Sequence, residues 1–190
     1  KFAQFVKGTA EVRYNYKIGH NQHLVGRMMA GAIYSYGNAR ISPYNEQFYI
    51  GGANSLRAFT IRSIGPGRYH PEENNTYSYL DQTGDLKFEA NLEYRFPILG
   101  DLHGAAFIDT GNIWLIRNDD QRPGGQLKWG RFLKDLALDA GVGLRYDLTF
   151  IVIRLDMGIP LHVPYETDKN GYFNVPKYTP GWHLAIGYPF

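Results

Sequence analysis

Cysteine is absent from the chain, which excludes disulfide bridges and thiolate metal sites. Long hydrophobic runs are absent too. The longest apolar stretches, such as Phe150-Ile151-Val152-Ile153, are broken at once by Arg154. None approaches the ~20 residues that a membrane-spanning helix needs. Charge of one sign is not in surplus: the formal net charge is +2 over 190 residues, which makes no electrostatic case for nucleic acid. No basic n-region or apolar h-region follows Lys1, so no secretory leader is evident and the start reads as the interior of a longer chain. Methionine is sparse, with 3 residues, while tyrosine, phenylalanine and glycine number 15, 11 and 22. Aromatics combined with glycine point to β structure. A mean hydropathy of -0.37 would ordinarily mean a water-soluble protein. Transmembrane barrels escape that test because alternate residues of each strand face a polar lumen.

What is present has period two. Between Asp85 and Pro97, Lys87, Glu89, Asn91, Glu93 and Arg95 share one face, and Leu86, Phe88, Ala90, Leu92, Tyr94 and Phe96 share the other. The stretch Asp135 to Asp147 repeats the arrangement, with Leu138, Val142 and Leu144 opposing Asp139, Gly143 and Arg145. At the end, Trp182, Leu184, Ile186, Tyr188 and Phe190 oppose Gly181, His183, Ala185, Gly187 and Pro189. This pattern predicts about seven strands, at roughly 3–17, 23–37, 85–97, 102–114, 135–147, 150–162 and 181–190. Many reach the ~9–11 residues of a membrane strand rather than the ~5–6 of a soluble one. Short connections at 18–21, 99–101 and 147–149 alternate with long ones at about 38–84, 115–134 and 164–180. Short turns on one side and long loops on the other mark an outer-membrane barrel. Single-chain bacterial barrels start at ~8 strands and are even-numbered. The partner strands are therefore expected outside these residues or in another copy, because lipid cannot satisfy an open edge.

The long segment 38–84 carries Gly51-Gly52-Ala53-Asn54-Ser55-Leu56-Arg57-Ala58-Phe59, and a later strand carries Phe107-Ile108-Asp109-Thr110-Gly111-Asn112-Ile113-Trp114. In this order the elements resemble those of the BamA/TamA superfamily of outer-membrane assembly proteins. There a glycine pair leads to an Arg-Gly-aromatic tripeptide on a loop that folds back into the lumen; here Ala58 takes the middle position. The second element is similar to the family's Phe-x-Asp-x-Gly strand motif. Phe190, after alternating aromatics, is similar to the C-terminal signal by which barrels are selected for insertion, with Ala185 where its glycine would fall. The wording resembles Bacteroidetes-type members, of the TamA-like lipoprotein branch.

The resemblance implies an all-β fold, an antiparallel transmembrane β-barrel. Residues 1–190 would be the C-terminal part of one barrel domain, about seven of roughly sixteen strands. The function implied is assembly, insertion or translocation of outer-membrane proteins, without enzyme chemistry or a cofactor. The seam strand would carry Trp182, Leu184, Ile186, Tyr188 and Phe190, and the loop-anchoring set would be Gly51, Gly52, Arg57, Phe59, Glu93, Phe107, Asp109 and Gly111. Implied partners are outer-membrane lipid and lipopolysaccharide, client β-barrels, the rest of its own barrel and upstream periplasmic repeats, with no nucleic acid.

Strand parity adds an argument of its own. Glu93 and Asp109 fall on the polar faces of neighbouring strands, so a loop arginine between them would make charge-assisted hydrogen bonds. Phe107 shares that face and would stack on the guanidinium. In a wet lumen such a pair would be worth less than the ~3–5 kcal/mol of a buried one. Plainer readings stand beside these: Arg57 as a solvated loop residue, Asp109 as one more lumen-facing polar residue, the 71–75 run as a solvated loop tip. His103 and His183 face inward but lack metal-ligand spacing. Tyr34, Tyr36, Trp114, Tyr146, Trp182 and Tyr188 fit an aromatic girdle, or the core of a soluble sandwich. A porin or two-partner secretion channel is the competing function; for an outer-membrane hydrolase no Ser-His-Asp grouping stands out.

Overall fold

The computed structural model describes residues 3–38, 41–71, 82–175 and 177–190. Most of the 71–75 run therefore lies outside the described residues. Seven strands form one antiparallel sheet in chain order: β1 (Gln4–Gly19), β2 (Gln22–Tyr36), β3 (Leu86–Leu99), β4 (Leu102–Trp114), β5 (Ala137–Asp147), β6 (Val152–His162) and β7 (Gly181–Ile186). The all-β expectation holds, and the sheet is open, with β1 and β7 at its edges.

Turn chemistry sets the short connections. Gly19 pairs with Gln22 around His20-Asn21, where Asn21 takes a φ of 55°. Leu99 pairs with Leu102 around Gly100-Asp101, where Gly100 takes the same value. Asparagine and glycine reach this left-handed region at little cost.

The two faces differ as the alternation requires. On the outer face Leu92 is 46%, Ile108 50% and Val142 53% exposed, so the apolar set is bare rather than enclosed. The inner face from β2 to β7 carries the connection between β2 and β3, while most inward residues of β1 stay exposed. An apolar cluster of Ile33, Phe48, Ile50, Leu56, Phe59, Ile64 and Ile113 joins that connection to the wall.

Two expectations on aromatics need correction. Trp114 has the outward parity of a girdle residue but is only 1% exposed. A 3-10 turn at Trp129–Lys134 lies over it, with Phe132 stacked 5.6 Å from Trp114 and edge-on 5.3 Å from Phe88. Trp129 is left outermost, 80% exposed. The last strand also stops early. Its ladder with β6 ends at Ile153↔Ile186, and Gly187 takes a φ of 83°. Tyr188 and Phe190 thus leave the seam strand's outer face. Tyr188 packs 4.2 Å from the Arg95 guanidinium, and the Phe190 ring lies 5.6 to 5.9 Å from Arg27, Arg57 and Arg95. The face of an aromatic ring attracts a guanidinium, which gives these side chains a reason to turn inward.

Candidate functional site

The site is a hairpin-like tip of the β2–β3 connection laid on the inner wall. The Gly52 amide donates to the Phe59 carbonyl at 2.8 Å and the Arg62 amide to Ile50 at 3.0 Å, closing residues 53–58 into the tip. The glycine pair makes this closure possible. Gly51 and Gly52 have φ of 99° and 94°, and a Cβ on Gly51 would sit 2.1 Å from the Thr60 carbonyl oxygen. Ala58 is not among the described non-glycine residues with positive φ, which are Asn21, Arg62 and Thr149. An alanine in the middle of the tripeptide is therefore accommodated without backbone strain.

Arg57 enters the wall between β3 and β4. Its Nε donates to Asp109 Oδ2 at 2.8 Å and its Nη2 to Asp109 Oδ1 at 2.9 Å, a two-pronged pairing. Its Nη1 donates to Glu93. The guanidinium carbon lies 3.4 Å from the centroid of the Phe107 ring. Phe107 in turn covers Gly141, its cross-strand partner, where a Cβ would come within 2.4 Å of the ring. Gly111 leaves room for Leu56 and for the Phe88 carbonyl, which a Cβ would approach to 2.6 Å. Phe59 belongs to the apolar cluster.

The expectation of a wet arginine is overturned: Arg57, Glu93 and Asp109 side chains are all 0% exposed. Burying charge is costly unless the charges are paired and hydrogen-bonded. The surroundings supply the pairing. Glu93 also receives Arg95 at 2.7 Å and Arg145 at 3.1 Å. Asp109 receives the Asn91 side-chain amide at 2.9 Å. Asp156 receives Arg145 at 2.6 Å and Arg154 at 3.1 Å.

The tip backbone is held by side chains from β2 to β7. Arg27 on β2 donates to the Asn54 carbonyl at 3.0 Å, and Asn91 on β3 to that of Ser55 at 2.9 Å. Asp109 on β4 accepts the Arg57 amide at 3.3 Å, and Asp139 on β5 the Ala58 amide at 3.2 Å. Arg154 on β6 donates to the Ala53 carbonyl at 2.9 Å, and His183 on β7 to that of Arg57 at 2.9 Å. Ser55 adds a bond to Glu89 at 2.8 Å. Arg27, Glu89, Asn91, Asp139, Arg145, Arg154, Asp156 and His183 were not singled out as anchors by sequence reasoning. For Arg27, Asn91 and Asp139 the signal was register: with Asp109 they are successive cross-strand partners in one transverse row. His183, weighed only as a metal ligand, serves as a hydrogen-bond donor, since a carbonyl can only accept. Among the described residues no group of three or more His, Asp or Glu is arranged to hold a metal ion.

Comparison with known proteins gives the family. The Omp85 superfamily domain matches residues 2–190. The outer membrane protein assembly factor BamA of Nitratidesulfovibrio vulgaris is 30% identical over 159 residues, 83% of this chain and 18% of that protein. The crystal structure of BamA from Haemophilus ducreyi lacking POTRA domains 1-3 matches with a TM-score of 0.60 at 16% identity, over 96% of this chain and 35% of that one. The chain thus spans less than a fifth of the curated relative and about a third of the solved one, and the structural likeness speaks for the fold. With a family match across almost every residue, the chain belongs to the Omp85 superfamily and forms part of a β-barrel wall in the bacterial outer membrane.

Proposed function

We propose that this chain is the C-terminal, loop-bearing part of a barrel that assembles other outer-membrane proteins, and that Arg57 anchors the loop as an internal brace. The observation that carries the reading is the buried constellation of Arg57, Glu93, Asp109 and Phe107. A seven-strand wall does not need a buried guanidinium to fold. Keeping one implies that the loop has to sit in one place. The bare outer residues of β7 fit a lateral seam at which a client strand pairs by backbone hydrogen bonding. Gly181, Ala185 and Gly187 on or beside that strand weaken its pairing. Client β-barrels, upstream periplasmic domains, the remaining strands and the surrounding lipid and lipopolysaccharide are the partners this reading requires. A passive porin is disfavoured because the tip is fastened to the inner side of six strands. The test is Arg57→Ala in the full-length protein, scored for insertion of client barrels. The expected outcome is a loss of about tenfold or more in insertion, as for a buried charge pair broken on one side, with the barrel itself still resistant to unfolding in detergent. Normal client insertion would overturn the reading.

A further inference from the structure

We propose that His183 is a positioning residue that ties the loop tip to β7, so that the Arg57 anchor also sets how firmly β7 is held against the wall. The inference rests on the assembly reading for giving β7 a part in a seam; its geometry stands without it.

β7 is weakly held on its own. Its ladder with β6 has six residue pairs, from Gly158↔Gly181 to Ile153↔Ile186. No described strand borders its other edge. Its outward side chains contribute little burial within the chain: Trp182 is 61%, Leu184 76% and Ile186 72% exposed. What remains is its inner face, and there it meets the loop.

The meeting place is built by register. Val25, Glu93, Phe107, Gly141, Gly158 and Gly181 are successive cross-strand partners in one transverse row. The row therefore ends in three glycines on β5, β6 and β7. Gly141 leaves room for the Phe107 ring, and the tip backbone lies in the space left by Gly158 and Gly181. A Cβ on Gly158 would sit 2.8 Å from the Ala58 nitrogen, and one on Gly181 would sit 2.9 Å from the Arg57 carbonyl oxygen. That same oxygen accepts from His183 Nε2 at 2.9 Å. Arg57 is thus held at both ends. Its side chain and amide bind β3 and β4, while its carbonyl binds β7. Displacing the tip removes the support that the inner face of β7 takes from the loop, leaving its short ladder and the packing of Tyr188 and Phe190 beyond it, and releasing β7 frees one side of the tip.

Hydrogen exchange of the full-length protein in lipid nanodiscs tests this. His183→Ala should speed exchange of the β7 amides by about five- to tenfold, the effect of one lost hydrogen bond, with β3 and β4 unchanged. His183→Gln, whose side-chain amide can donate to the same carbonyl, should recover most of the protection. Arg57→Ala should also speed β7, although it lies on another element. Unchanged β7 exchange in His183→Ala or Arg57→Ala would overturn the inference. So would a Gln variant as fast as the Ala variant, because the donor would then be irrelevant. Faster β7 exchange with normal client insertion in Arg57→Ala counts against the assembly reading alone. Lost insertion with unchanged β7 exchange counts against the His183 link alone.

Discussion

At the residue scale the proposed Arg57 anchor depends on shape as much as charge. Three guanidinium nitrogens of Arg57 reach three carboxylate oxygens on two strands, which a lysine ammonium cannot do from one point. Arg57→Lys should therefore lose most of the anchor, with loop amides exchanging about 100-fold faster, the equivalent of ~3 kcal/mol. Near-normal protection in the lysine variant would show that charge alone suffices. Gly51→Ala tests the backbone. Its φ of 99° and the 2.1 Å approach to the Thr60 carbonyl should cost more than the ~1–3 kcal/mol of positive φ alone, read as protease cleavage within 50–62. Arg57, Glu93, Phe107 and Asp109 were legible in the sequence, because a motif and strand parity converge on them. Their dryness was not. A single strand shows that one face is polar, but whether water reaches that face depends on what six strands and a loop do together.

Strand positions were legible to within a few residues, since alternation sustained over ten residues or more matches the two-residue period of a strand and not the 3.6 of a helix. The exceptions have local causes. Alternation of aromatics continues through Tyr188 and Phe190, so nothing in the pattern reports that Gly187 redirects the chain. The cover over Trp114 comes from 129–134, a segment without strand periodicity. Phe132→Ala should uncover Trp114, shifting tryptophan emission to longer wavelength and costing less than the ~3–5 kcal/mol of a fully buried Phe. An unshifted spectrum would place the cover elsewhere. The same loop offers a pH test. Burial holds the Asp135 carboxyl above the usual carboxylate range, outweighing nearby Arg131, Arg68 and Lys128. A raised carboxyl pKa means that the folded loop binds a proton where the unfolded one has released it. Its stability should fall as pH rises from the ordinary aspartate range through the raised value. Asp135→Asn should flatten that dependence of loop hydrogen exchange; an unchanged slope would assign it to another group.

For the whole molecule, the open sheet is the governing fact. Two edges and an outer face with Val12, Leu92, Ile108 and Val142 exposed by 46% to 68% are suited to lipid and to further strands, not to water. Residues 1–190 alone should be recovered only with detergent or lipid; a stable, water-soluble monomer would contradict the barrel reading. Openness itself could be argued from the sequence by counting strands. The bracing of the inner wall could not, because it arises from register among residues up to 126 positions apart. The most direct measurement is a double-mutant cycle in client insertion, with Arg57→Ala, Asp109→Ala and the pair. A single anchor predicts that each variant alone slows insertion and that the pair is little slower than either. Fully additive defects, or single variants that insert clients at the normal rate, would contradict it.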